Sequence, residues 1–156
     1  MTAETGFTDY KIKPIETISE QVQKWRKEGL SLVFTNGCFD LLHAGHVRYL
    51  QTASTFGDIF ILGLNSDSSV RKLKGLFRPI MPQADRAFLL SALEAIDCVV
   101  IFDEETPGRL IETVIPDVLV KGGDYLAEDI VGYNTVIKNG GRVEIVSLVE
   151  GKSTTS

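Results

Sequence analysis

Two histidines and an aspartate stand close together in the stretch Thr35-Asn36-Gly37-Cys38-Phe39-Asp40-Leu41-Leu42-His43-Ala44-Gly45-His46. Imidazoles donate hydrogen bonds to anions. His43 and His46 are three residues apart, so a first helical turn, or a tight loop leading into one, aims both rings the same way. The start of a helix adds unpaired backbone N–H groups and the positive end of a dipole, a setting that suits phosphate. Gly45 has no side chain to keep a phosphate from the backbone. Two other readings compete. The stretch could be a glycine turn that only joins two elements, or the histidines could bind a metal with Cys38 or Asp40. No second cluster of ligands appears elsewhere in the sequence, so phosphate is the preferred reading.

The elements that must position these side chains follow from periodicity. Leu32-Val33-Phe34 is a short run of strand formers, and Val47, Leu50 and Ser54 recur at helical spacing, so the histidine stretch is a strand-to-helix turn. Upstream, Met1 to Asp9 is polar and loose. Thr17 to Lys27 reads as a helix with Ser19 as its N-cap, Ile18, Val22 and Trp25 or Arg26 recurring at helical spacing, and Gly29 closing it. Trp25 belongs to a core or an interface. Downstream, Asp58 to Leu64 is a nearly continuous apolar run, as in a strand buried on both faces. Asn65-Ser66-Asp67 suits a turn or a helix cap. Arg71, Lys72, Lys74 and Arg78 follow, with Gly75, Pro79 and Pro82 interrupting any long helix, so this segment reads as a basic, mobile loop. Asp85 to Leu93 is a helix and Cys98 to Phe102 a strand. Thr106-Pro107 opens a helix that ends before Pro116. Val118 to Val120 is a strand that runs into the glycine turn Lys121–Tyr125. Asp129 to Lys138 is a helix stopped by Gly140-Gly141, and Val143 to Val146 is a fifth strand.

Strands alternating with helices predict an α/β fold, a doubly wound parallel five-stranded sheet with helices on both faces. Ligands in such sheets bind beyond the C-terminal strand ends, where strand order reverses. The histidine turn, Asn65-Ser66-Asp67, the Lys121–Tyr125 turn and the Ser/Thr tail all fall at such ends, which argues for one site. With 156 residues, the chain suits a single domain. Residues 1–30 form a tail and helix packed on the body 31–156. A net charge of −5 argues against nucleic acid as the main partner. Cys38 and Cys98 adjoin apolar strands and read as small reduced residues of a cytoplasmic protein. No run of about 18 apolar residues suits a membrane span, and no signal peptide is visible.

No GxGxxG follows the first strand and no GxxxxGK[ST] occurs, so dehydrogenase-type dinucleotide sites and P-loops are excluded. Two histidines, several cations, a helix start and a hydroxyl-rich tail favour polyphosphate.

These residues carry a family resemblance. Gly37-Cys38-Phe39-Asp40, His43 and Gly45-His46 resemble the G-x-F-D-x-x-H-x-G-H signature of the cytidylyltransferase-like nucleotidyltransferases, which implies their Rossmann-like fold. Gly151-Lys152-Ser153-Thr154-Thr155 resembles the family's second signature. The segments TNGCFDLLHAGHVRYL, GLNSDSSVRKLKG, RPI with DRA, PDVLVKGGDY, IVG and VEGKSTTS together resemble the heptose-1-phosphate adenylyltransferases, including the transferase half of the bifunctional heptose kinase/adenylyltransferase.

The resemblance implies that ATP and D-glycero-β-D-manno-heptose 1-phosphate give ADP-heptose and pyrophosphate, with Mg²⁺ carried by ATP and no metal ligated by the protein. It implies that His43 and His46 donate to α- and β-phosphate oxygens, and that Lys74 or Lys72, with Arg86, holds the triphosphate or sugar phosphate. Asn36, Gly37, Cys38, Phe39, Asp40 and Gly45 would line the nucleotide site, Asp40 mainly orienting the turn. Lys121, Gly122, Gly123 and Asp124 would lie against the nucleoside, and Ser153, Thr154 and Thr155 would clasp the outer phosphates. Asn65, Asp67, Lys72 and Arg78 would meet the acceptor.

Plainer roles stand beside these. Arg71 suits a solvated surface, Arg86 could pair with Asp85 or Glu94, and Asn65-Ser66-Asp67 could be only a cap. A homodimer is a family expectation, as are a further helix past Ser156 and a separate kinase and phosphatase to supply the acceptor. The rival functions are the same transfer to glycerol 3-phosphate, FMN or phosphopantetheine, a non-catalytic nucleotide-binding module, and a metal hydrolase.

Overall fold

The computed structural model describes residues 7–147. Among them, five parallel strands form one sheet: β1 (Leu32–Gly37), β2 (Ile59–Asn65), β3 (Cys98–Phe102), β4 (Val118–Gly122) and β5 (Arg142–Val146), in the order β3-β2-β1-β4-β5. The chain winds outward from β1 to β3, then crosses back to place β4 on the other side of β1. The order therefore reverses between β1 and β4, and their C-terminal ends flank the crevice where such folds bind ligands.

The helices are α1 (Ile18–Lys27), α2 (Ala44–Ser54), α3 (Asp67–Lys74), α4 (Gln83–Ser91), α5 (Gly108–Val114) and α6 (Tyr133–Lys138). Alternate strand side chains point to opposite faces, and the core divides accordingly. Phe34, Ile61 and Val100 pack with Ile18 and Val22 of α1, Ile111 of α5 and Val136 of α6. Val33, Leu62 and Val99 pack with Leu50 of α2 and with Ala87 and Leu90 of α4 on the other face. The continuous apolar runs of β2 and β3 are what a strand covered on both sides requires.

Four local readings need correction. Ser19 lies inside the first turn of α1, whose N-cap is Thr17 at the end of a preceding 3₁₀ turn. Arg71, Lys72 and Lys74 are helical rather than part of a loop. The Ser66 hydroxyl accepts from Ser69 N–H and starts α3, and the three cations fall in its last turn, where they complement the negative end of the dipole. Gly75, at φ +100°, ends it. Asp129 to Lys138 is not one helix, because Gly132 adopts φ +95° and separates a 3₁₀ turn, Ala127–Asp129, from α6. Pro107 takes the N-cap position of α5, one residue earlier than the usual first-turn proline.

Candidate functional site

β1 delivers the chain to the sheet's C-terminal edge, and the histidine turn then starts α2. His43 is the N-cap. Its Nδ1 accepts from Gly45 N–H at 3.1 Å, and the His43 N–H donates to Nδ1 of His46 at 3.2 Å. The two rings stack with centroids 3.8 Å apart and planes 21° from parallel. Each Nδ1 is an acceptor, so each neutral ring carries its proton on Nε2. The pair thus presents two Nε2–H donors side by side at a helix N-terminus. Gly45 serves this geometry in an unexpected way. A Cβ there would stand 3.0 Å from His43 Cε1, so the space left by the absent side chain is taken by the His43 ring.

Burial lowers the His46 pKa below its usual 6.5, and the positive charges of His43 and Lys74 lower it further. His46, stacked on a second imidazole and near a lysine, therefore resists protonation in the free protein. Phe39 meets the His46 ring edge-on at 5.4 Å. Phe39 itself sits at φ +45°, a left-handed conformation uncommon outside glycine. Gly37 accommodates its ring, since a Cβ there would stand 2.7 Å from Phe39 Cε2.

His43 and His46 line a cleft of ≈ 380 Å³ together with Gly37, Cys38, Asp40, Lys74 and Arg78. Lys74 lies in that wall. Lys72 does not, and is exposed on α3, so of the two lysines Lys74 is the one at the cleft. Asp40 is only 7% exposed. Burial alone would raise its pKa, but the N–H groups of Met81 and Ile80 and the Arg78 guanidinium outweigh that and hold it below 3.8. Its carboxylate accepts from Ile80 N–H at 2.9 Å, Met81 N–H at 2.9 Å and Arg78 Nη1 at 3.1 Å.

The other lip of the crevice is the turn after β4. The Thr35 hydroxyl donates to Val120 O at 2.9 Å and meets Tyr49 Oη at 2.7 Å, tying β1, β4 and α2 together behind the histidines. Burial pushes the Tyr49 phenol up to about 12, so it stays a donor. Gly122 lets the Tyr49 ring pass, with a Cβ there only 3.0 Å from Tyr49 Cε1. Gly123 takes φ +111° and turns the chain toward the exposed Asp124. Lys121 is half-buried. Burial lowers its pKa, an effect the Cys38 thiol partly opposes, and its Nζ lies 5.6 Å from the centre of the Tyr125 ring. Burial raises the pKa of the Cys38 thiol, with Lys74 and Arg86 working against the rise. Asn36, at the end of β1, is half-buried.

Three expected ligand contacts are otherwise engaged. Arg86 is 1% exposed. Its Nε donates to Met81 O, Nη1 to both Cys38 O and Asn65 O, and Nη2 to Asp67. It is therefore engaged by acceptors of the protein itself, and its carboxylate partner is Asp67 rather than Asp85 or Glu94. Asn65 is buried and donates from Nδ2 to the Ser69 hydroxyl at 2.9 Å. Asp67 pairs with Arg86, while its neighbour Ser66 caps α3. Ser153, Thr154 and Thr155 lie outside the described residues. Thr35 and Tyr49 were missed, although a threonine inside an apolar strand and a tyrosine one turn after His46 were available signals.

Comparison with known proteins now bears on this geometry. The model of a family described as Cytidylyltransferase-like matches residues 34–150. The bifunctional protein HldE of Geotalea uraniireducens (strain Rf4) is 58% identical over 149 residues, which are 96% of this chain and 30% of that protein. The bifunctional protein HldE of Geobacter metallireducens is 56% identical, again over 96% of this chain and 30% of its own length. The chain thus spans under a third of the length of these relatives. Among solved structures, the lipopolysaccharide core biosynthesis protein from Thermoplasma volcanium GSS1 superposes with a TM-score of 0.64 at 27% identity, covering 78% of this chain and 98% of that one.

Proposed function

This chain belongs to the cytidylyltransferase-like family, and from that membership we propose that it is a nucleotidyltransferase that moves AMP from ATP to D-glycero-β-D-manno-heptose 1-phosphate, giving ADP-heptose and pyrophosphate. The observation that carries the reading is the stacked His43–His46 pair, with both Nδ1 atoms held by backbone N–H groups in a cleft that also contains Lys74. Two bifunctional HldE proteins at 56% and 58% identity support the choice of acceptor.

The reaction asks little proton chemistry of the protein. A phosphate oxygen of the acceptor is ionised near neutral pH. It forms a bond to the α-phosphorus, and the bond from that phosphorus to the bridging oxygen breaks, its electron pair leaving with pyrophosphate. The barrier lies in bringing two polyanions together and in the charge that builds on the α-phosphate oxygens. His43 and His46 meet that charge with preorganised Nε2–H donors. Lys74 and the N-terminus of α2 add fixed positive potential. The Lys121–Asp124 turn would receive the nucleoside, Asp124 on a ribose hydroxyl, and Ser153, Thr154 and Thr155 would close on the outer phosphates.

Mg²⁺ belongs to this proposal as a companion of ATP. Among the described residues no group of three or more His, Cys, Asp or Glu side chains is arranged to hold a metal, and the Asp40 carboxylate is taken by Ile80, Met81 and Arg78. The ion would ride on triphosphate oxygens as part of the substrate. Among the described residues no helix is long and apolar enough to cross a membrane. A cytoplasmic setting is proposed because ATP is the donor. A homodimer is proposed because Leu76 and Phe77, 84% and 95% exposed, offer apolar surface to a second copy.

Pyrophosphate release measured over a panel of nucleotides and phosphorylated acceptors tests the reading. ATP with the heptose 1-phosphate should give the highest turnover. Turnover only with glycerol 3-phosphate, FMN or phosphopantetheine would reassign the acceptor, and ATP binding without turnover on any acceptor would make the chain a binding module.

A further inference from the structure

Among the described residues Arg86 and Asp40 are the two buried charged side chains, and both close on a single residue, Met81. Met81 N–H donates to Asp40 Oδ1 at 2.9 Å, and Met81 O accepts from Arg86 Nε at 3.0 Å. Arg86 then returns to the histidine turn, donating from Nη1 to Cys38 O at 2.8 Å, two residues before Asp40. Cys38, Phe39, Asp40, Met81 and Arg86 form a closed ring of covalent and hydrogen bonds. Three of its members come from the turn and two from the segment that follows Lys74 and Arg78.

Phe39 lies inside this ring at φ +45°. A non-glycine residue keeps such a conformation only when its surroundings over-determine it. Here the carbonyl before Phe39 is fixed by Arg86, and the carboxylate after it is fixed by Ile80 and Met81. The conformation sends the Phe39 ring against the edge of His46. Arg86 also donates to Asn65 O at 2.8 Å and to Asp67 at 2.8 Å, which anchors the ring to the end of β2 and the start of α3, the helix that carries Lys74.

We propose that Arg86 and Asp40 are positioning residues. By pinning Met81 and holding Phe39 left-handed, they set the histidine pair and the Lys74 helix in one fixed relation around the cleft. The inference rests on the nucleotidyltransferase reading for its kinetic consequences but not for its structural ones. A displacement of about 1 Å in a preorganised site costs on the order of a hundredfold in rate. Ground-state ATP binding is shared among many contacts and depends less on that register.

Three variants of the full chain test this. In Arg86→Ala, kcat should fall about a hundredfold while the ATP Kd changes less than about fivefold. Added guanidinium should restore part of kcat, because it can re-form the donor fork. Arg86→Lys keeps the charge but has one donor head for four acceptors, and should lose activity in the same direction. Asp40→Asn, a nearly isosteric change, should do likewise, and the double variant with Arg86→Lys should be non-additive because both act on Met81.

Imidazole ¹⁵N spectra of the unliganded protein give a readout that needs no acceptor. Loss of the ring should move the His46 titration midpoint up toward 6.5 in Arg86→Lys or Asp40→Asn. If these variants fold but keep kcat within threefold and leave the His46 midpoint in place, the inference is overturned. So it is if Asp40 and Arg86 substitutions add independently. Should the wild type transfer nothing to the heptose phosphate while the midpoints still shift, the functional reading falls and the positioning role stands.

Discussion

The two ends of the sheet use the same bond for opposite purposes. At the N-terminal end, aspartates that follow one element cap the strand beside them. Asp58 accepts from Ser31 N–H at 2.9 Å, Asp97 from Phe60 N–H at 2.8 Å, and Asp117 from Leu32 N–H at 2.8 Å. Arg26 braces Asp117 at 2.8 Å and donates to Ile115 O as well. These bonds join neighbouring strands and fix register. At the C-terminal end, Asp40 also accepts backbone N–H groups, but from a loop forty residues downstream. That end carries a left-handed Phe39 and stacked imidazoles beside the exposed Lys74 and the half-buried Lys121. The lower end orders the chain at little strain. The upper end holds a left-handed residue and two stacked imidazoles near a lysine.

That contrast predicts separable phenotypes. His46→Ala should lower kcat by on the order of a hundredfold or more, the scale for losing one preorganised donor at a developing charge, with thermal stability nearly unchanged. Near-normal turnover would take His46 out of the mechanism. Asp117→Ala should do the reverse. It leaves the buried Leu32 N–H and the Arg26 guanidinium without their shared acceptor, at a cost of about 1–3 kcal/mol in denaturant unfolding. Its kcat and KM should match the wild type. Lost activity in a folded Asp117 variant would show that the two ends are coupled after all.

The same division explains what was legible in the sequence. The strand runs at 58–64 and 98–102 declared themselves because burial on both faces leaves a purely apolar pattern, and the histidine pair because its spacing is local. The phosphate reading of Gly45 was local too, and the structure adds a second demand on that glycine, since a Cβ there would meet the His43 ring. The set of bonds made by Arg86 was illegible. Its partners Cys38, Asn65, Asp67 and Met81 come from three segments, one of them 48 residues away, and no periodicity encodes a set that only the folded sheet assembles. The basic segment at 71–74 was misread for a different cause. Gly75 and the prolines were allowed to govern residues that precede them, although Ser66 already announced a helix start.

The smallest effect expected is also the most specific to the upper end. In the free protein the His46 pKa lies below 6.5 because of burial and the charges of His43 and Lys74. A triphosphate against the Nε2–H would favour the charged ring, so the bound-state pKa must be higher than the free one. By linkage, ATP affinity should strengthen as pH falls through the bound-state pKa and level off below the free-state value. The gain should be about threefold to tenfold, roughly 0.7–1.4 kcal/mol. The phosphates of ATP titrate in the same range, so the quantity to measure is the difference between the wild type and His46→Gln, which cannot take up the proton. Titration calorimetry in two buffers of unlike ionisation enthalpy, near pH 6.5, should show extra proton uptake by the wild type alone. Equal uptake in both proteins would mean that the His46 ring stays neutral against the phosphates and acts purely as a dipole.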